Sequence, residues 1–143
     1  MLLFKNGRFY GEKVSFIIPD GFYFEDDPDR IDQYGLCAWD PKGEFLFCWR
    51  FYENCAGTEE ELQNWLRPDC GMTSLAEILP IQINGLSGHQ TVYGTERVQY
   101  YEARFALGEG RELDFLVEGW GKAIRRMAAT PEFEAALHGI RAE

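Results

Sequence analysis

Long apolar runs are missing from this chain. No stretch approaches the ~18–20 residues that cross a bilayer as a helix, so no membrane span is expected. The opening Met1-Leu-Leu-Phe turns polar at Lys5, too early for the apolar core of a signal peptide, and the expected location is cytoplasmic. Histidine is scarce, with only His89 and His138. Neither forms an H-x-x-x-H pair or has a cysteine at ligand spacing, so no metal site is expected. The four cysteines (Cys37, Cys48, Cys55, Cys70) include no C-x-x-C pair, and free, partly buried thiols are the default in a reducing compartment. Positive charge is short as well: 14 Lys and Arg stand against 24 Asp and Glu, a net charge of −10. Such a surface repels phosphate, which sets aside nucleic acid and anionic membrane as partners. It favours a basic partner, or simply keeps the protein in solution. Repeats, low-complexity tracts and linkers are also missing, and 143 residues fit one domain over 1–143.

Reaction motifs are equally absent. No G-x-S-x-G or Q-A-C-type sequence surrounds a serine or cysteine. Asp26-Asp-Pro-Asp29 with Asp32 carries carboxylates without the order of a calcium loop, and reads as a solvated acidic loop. Glu118-Gly-Trp-Gly-Lys122 lacks the third glycine of a dinucleotide turn and the length of a P-loop. It reads as the connection from a sheet to the last helix. Lys122, Arg125 and Arg126 share a helical face that pairs with nearby carboxylates. No catalytic residue and no cofactor are assigned.

Aromatic residues are abundant: 11 Phe, 7 Tyr and 4 Trp, or 15% of the chain. A small domain does not bury that many rings completely, because Tyr and Trp keep polar atoms that seek a partner. Asn6-Gly7 suits the tight turn of a hairpin between Leu2–Lys5 and Arg8–Tyr10. Val14–Ile18 ends at Pro19-Asp-Gly21. Leu36–Asp40 and Glu44–Glu53 form a second hairpin around Asp-Pro-Lys-Gly, a type I turn sequence. With Trp39 set opposite Phe45 and Cys37 opposite Phe47, one face becomes an aromatic slab with Trp49 and Phe51. Ala38, Leu46, Cys48 and Tyr52 keep the other face apolar too, which calls for a sheet covered on both sides.

Thr58-Glu-Glu-Glu61 reads as a capping box, Thr58 the N-cap, before a Leu62/Trp65/Leu66 stripe ended by Pro68. A short helix is expected at Leu75–Leu79. A meander follows over Ile81–Asn84, His89–Tyr93, Arg97–Leu107 and Arg111–Glu118. A shorter helix at Lys122–Ala129 precedes the last one. Thr130-Pro131-Glu132 starts that final helix, with Phe133, Leu137 and Ile140 facing the sheet.

Three patterns carry a resemblance to a known family: Val14-Ser-Phe-Ile-Ile-Pro-Asp-Gly-Phe22, Ile83-Asn-Gly-Leu-Ser-Gly-His89 and the closing helix. With the order of elements, they resemble the Mog/PsbP-like superfamily over most of the chain. The resemblance implies an α+β fold, an α/β/α sandwich around an antiparallel sheet. It also implies a binding or accessory role, since members such as the Ran-binding Mog protein, the photosystem II extrinsic protein and effector chaperones share no catalytic residue.

The expected function is thus a non-enzymatic protein-binding or accessory module, of adaptor or chaperone type. Its expected contact surface is aromatic, around Phe22, Tyr23, Phe24 and Trp120, for another protein or a second copy of the chain. An alternative is a small-molecule binder or enzyme with a sheet–helix cleft, lined by Arg50, His89, Glu102 and Arg104. A third is an acidic immunity-type protein that neutralises a toxin.

Overall fold

A computed structural model of the chain describes residues 2–30, 35–120 and 124–143. Asp32, Lys122 and the side chain of Arg125 lie outside the described residues, and with them the acidic stretch past Arg30 and the basic helical face. The first three strands, β1 (Leu3–Lys5), β2 (Arg8–Tyr10) and β3 (Val14–Phe16), form a small sheet with β12 (Arg141–Ala142) at its far edge. The Asn6-Gly7 turn is as expected, both residues having positive φ.

The large sheet is antiparallel, in the order β4 (Tyr23–Phe24), β5 (Leu36–Trp39), β6 (Phe45–Tyr52), β11 (Arg111–Trp120), β10 (Val98–Gly108), β9 (Leu86–Gly94) and β7 (Thr73–Ser74). Strand β8 (Leu79–Ile83) also pairs with β9. Among the described residues, helices run over α1 (Thr58–Gln63), α2 (Ile124–Met127) and α3 (Pro131–His138), with a 3-10 turn at Pro68–Cys70.

Strand alternation gives the large sheet two different faces. One bears Phe47, Trp49, Phe115, Val117, Ala103 and Phe105, all buried. Phe16 of β3 stacks on Trp49 at 5.3 Å, and Phe133 of α3 meets Tyr101 edge-on at 4.9 Å. The small sheet therefore shares with α2 and α3 the covering of this face, which the sequence reading gave to helices alone. A hairpin buries its apolar side as well as a helix does. Thr130 caps α3 as expected, its hydroxyl accepting from the Phe133 N–H. Phe133, Leu137 and Ile140 are buried.

Three local expectations are corrected. In the β5–β6 hairpin, Trp39 faces Leu46, Ala38 faces Phe47 and Cys37 faces Cys48. The turn is one residue longer than assumed, because the Asp40 carboxylate accepts the N–H groups of Glu44 and Phe45 and the Asp40 N–H bonds the Phe45 carbonyl. A one-residue slip exchanges faces, so Leu36 and Ala38 join the aromatic slab while Trp39 and Cys37 leave it.

At α1 the N-cap is Gly57, not Thr58. The Thr58 hydroxyl is taken by His89, and Glu61 accepts from the Ala56 N–H. Only Leu62 of the predicted stripe is buried; Trp65 is exposed, and α1 ends well before Pro68. Residues 75–78 form no helix. Leu75 and Ala76 donate backbone hydrogen bonds to Val92, extending the β7 edge, and Leu79 opens β8.

Candidate functional site

The second face of the large sheet is polar at its centre. Register places Arg50, Asp114, Arg104 and His89 side by side on β6, β11, β10 and β9. One pair along, Glu102 occupies β10, and on the other side Tyr52 lies opposite Glu112. All four residues of the expected cleft (Arg50, His89, Glu102, Arg104) thus share one face. Gly88 makes the row possible: a Cβ there would lie 1.7 Å from the Arg104 carbonyl oxygen, so only glycine lets β9 close on β10 beside it.

The groups are paired, most of them buried, with Arg50 and His89 partly exposed. Arg50 donates to Asp114 through Nη2 at 2.7 Å and Nε at 3.2 Å. Arg104 donates from Nε to Glu112 at 2.9 Å. Its Nη1 stands 3.6 Å from Glu102 and its Nη2 3.9 Å from Glu61. Both guanidiniums lie over the Tyr52 ring, at 5.1 and 4.5 Å. Burial would lower Arg104, but Asp114, Glu112 and Glu102 outweigh it and hold the cation well above its ordinary value. Burial pushes the Tyr52 phenol up to about 12.

Two carboxyl oxygens here lack a donor, Glu102 Oε2 and Asp114 Oδ1. Burial drives Glu102 well above the ordinary carboxyl range, and the neighbouring Asp114 drives it further. A neutral Glu102 resolves both orphans, its proton bridging to Asp114 while its other oxygen accepts from Tyr93. A neutral Glu102 also leaves one fewer buried negative charge beside Asp114. Since Glu102 and Asp114 have no exposed surface, this acid has no substrate to reach.

The edges of the network are more open. His89 Nδ1 and the Thr58 hydroxyl share a hydrogen bond of 2.7 Å, and His89 Nε2 lies 3.7 Å from Glu59. A hydroxyl, an imidazole and a carboxylate in that order resemble a nucleophilic triad. Yet Thr58 is buried, and neither residue lines the adjacent cleft, which is formed by Tyr52, Cys55, Glu61, Trp65, Arg67 and Arg104 among others. That cleft holds about 180 Å³, short of the ~300–1,000 Å³ of ligand sites. Cys55 Sγ lies 3.6 Å from Arg104 Nη2. Burial and Glu112 nonetheless raise its thiol, which disfavours the nucleophilic thiolate. Among the described residues no group of His, Cys, Asp and Glu is arranged to hold a metal.

No family model matches the chain, and no curated protein sequence does. Solved structures do. The solution structure of cyanobacterial PsbP (CyanoP) from Synechocystis sp. PCC 6803 aligns with a TM-score of 0.61 at 10% identity, over 92% of this chain and 88% of that one. A crystal structure from Bacteroides thetaiotaomicron VPI-5482 aligns with a TM-score of 0.55 at 11% identity. It covers 92% of this chain, which spans 45% of that protein. The fold is PsbP-like. At such identities the likeness concerns the fold alone, as the resemblance in the sequence implied.

Within this PsbP-like fold the expected aromatic surface is divided. Phe22 packs edge-on against Phe47 at 4.9 Å and is only partly exposed. Phe24 faces the same side, through its register with Ala38 and Phe47. Tyr23 and Trp120 project from the opposite side, the side of Trp39, Leu46 and Glu118. The alternation of β4 therefore splits the four between the two faces of the sheet at its edge. What the rings do form is a different cluster. Phe9 of β2 meets Phe4 at 4.7 Å and Phe24 at 6.5 Å, and Phe4 and Phe24 are 60% and 57% exposed. The clue for Phe4 was present in the sequence, since a three-residue hairpin strand has one side too many to bury.

Proposed function

We propose that the chain is a non-enzymatic protein-binding or accessory module acting in the cytoplasm. Its layers form an α/β/α sandwich in which the small sheet supplements one helical layer. The contact surface is the Phe4–Phe9–Phe24 cluster, and the partner is a basic segment with an apolar anchor. The observation that carries this reading is the exposure of Phe4 and Phe24, each in contact with the ring of Phe9 at the junction of the two sheets. Exposed rings that touch mark contact sites more often than scattered ones do. Glu25, Asp26, Asp27 and Asp29 follow Phe24 directly, and they select for Lys or Arg beside the anchor. The ionisable cluster of the large sheet supports the same reading, because its members satisfy one another. An immunity-type role is this chemistry with a basic toxin as partner.

The test is selection from a displayed peptide library. Peptides with an aromatic or leucine anchor flanked by Lys or Arg should emerge. Phe4→Ser and Phe24→Ser should each weaken them by at least about tenfold, and added salt should weaken them further. Peptides without such a pattern, or binding indifferent to both substitutions, would overturn the reading. A dimer that Phe24→Ser dissolves would replace the peptide with a second copy of the chain.

The cleft beside Arg104 favours a second reading, a binder of a small anion. Thermal stabilisation by small carboxylates or phosphate, lost in Arg67→Ala, would support it over the first.

A further inference from the structure

Cys37 and Cys48 face each other directly across β5 and β6, both buried, with their sulfurs 3.0 Å apart. We propose that they are a dithiol site that closes to a cross-strand disulfide on oxidation by hydrogen peroxide. The position in the hairpin is the argument. Asp40 and Phe45 are a hydrogen-bonded pair, since the Asp40 N–H donates to the Phe45 carbonyl at 3.1 Å. Pairs alternate along an antiparallel ladder. Trp39/Leu46 is then non-hydrogen-bonded, Ala38/Phe47 hydrogen-bonded, and Cys37/Cys48 non-hydrogen-bonded. The Cys37 carbonyl agrees, as it turns away from β6 to accept from Glu25 on the other side. Non-hydrogen-bonded partners have Cα atoms about 4.5 Å apart, inside the ~4.4–6.8 Å window of disulfides. The side chains already point at each other, so the bond closes without moving either strand.

The two thiols differ in access. Cys48 sits on a central strand with no exposed surface, and burial together with the adjacent Cys37 raises its thiol well above the ordinary range. Cys37 lies one strand from the edge, shielded in the sheet only by the two residues of β4. Opening so short an edge strand is a small local event, and hydrogen peroxide is a small oxidant. The Cys37 thiolate attacks the peroxide oxygen: an S–O bond forms, the O–O bond breaks, and the departing hydroxide takes a proton and leaves as water. The Cys48 sulfur then attacks the Cys37 sulfenic acid. An S–S bond forms, the S–O bond breaks, and the oxygen leaves as a second water with the Cys48 proton. Two thiols are oxidised and one peroxide is reduced to two waters. The bond ties β5 to β6 and so steadies β4, which carries Phe24.

The experiment uses the full chain with Cys55→Ser and Cys70→Ser, which removes the more accessible thiols. Stoichiometric hydrogen peroxide should lower the intact mass by two hydrogens, about 2 Da, and abolish alkylation of the denatured protein. Digestion should give one linked peptide pair containing Cys37 and Cys48, and dithiothreitol should reverse every change. Adding Cys48→Ala should instead leave a Cys37 sulfenic acid that dimedone traps. The proposal is overturned if both thiols still alkylate after treatment, if mass rises by oxygens at either cysteine in the two-thiol protein, or if dimedone labels nothing in the Cys48→Ala protein.

Discussion

The two faces of the large sheet are built from the same strands yet held by opposite means. On one side Trp49 is enclosed by Phe16, Phe47 and Phe115, with ring centroids 5.3–6.4 Å away. Its neighbours attract it without direction, by area removed from water and by close packing. On the other side Asp114, Arg104, Glu112 and Glu102 are equally dry, and Arg50 nearly so. There each group is tolerable only while its partners remain. The apolar face resists removal of volume least, whereas the polar face resists removal of one charge least. The polar row is rich in the residue types of catalysis, and its innermost members pair with one another.

The largest effect should come from the apolar face. Trp49→Ala should cost about 3–5 kcal/mol, the range for large core residues that leave a cavity, read from urea denaturation midpoints. Trp49→Phe should cost far less, because it also removes the indole N–H, which is buried without a partner.

The polar face should break differently. Asp114→Ala removes the acceptor of two Arg50 hydrogen bonds from a dry site, and should cost about 3 kcal/mol or more. Arg50→Met combined with Asp114→Leu removes both charges together and keeps the volume filled. The pair should be clearly more stable than Asp114→Ala alone. If the double substitution costs as much as the sum of the single ones, the row is not a coupled network, and the contrast between the faces fails.

The sequence made the strands legible because their apolar residues alternate with period two over long stretches, as in Phe45–Phe51 and Tyr101–Phe105. It also made the partners of Arg104 available by type. Their meaning was hidden because Glu112 and Asp114, alternating with Leu113 and Phe115, read as the solvent side of an amphipathic strand. Helix α1, which brings Glu61 toward Arg104 and Thr58 onto His89, and Arg30, which pairs with Glu118, come to that side from elsewhere in the chain. The hairpin register failed for a local reason, the two N–H groups collected by the Asp40 carboxylate. The Phe4–Phe9–Phe24 cluster joins β1, β2 and β4 across two sheets, a contact that no periodicity within one strand encodes.

The smallest effect is also the sharpest test of the polar face, since it follows one proton. Glu102 stands well above its ordinary value of 4.5 because it is buried and faces Asp114. A folded-state value above the unfolded one means stability that is complete below about 4.5 and is lost as the pH climbs through the folded value. Glu102→Gln keeps the neutral shape: its amide donates to Asp114 as the acid proton does, and its oxygen still accepts from Tyr93. Near pH 4.5 the variant should lie within about 1 kcal/mol of the parent, the worth of one neutral hydrogen bond. As pH rises the parent should lose stability relative to the variant, so the two curves diverge in favour of glutamine. Urea midpoints measured across that range decide it: parallel curves would mean that Glu102 is ionised in the folded protein. The buried proton between Glu102 and Asp114 would then be absent, and the neutral Glu102 inferred for this face would be wrong.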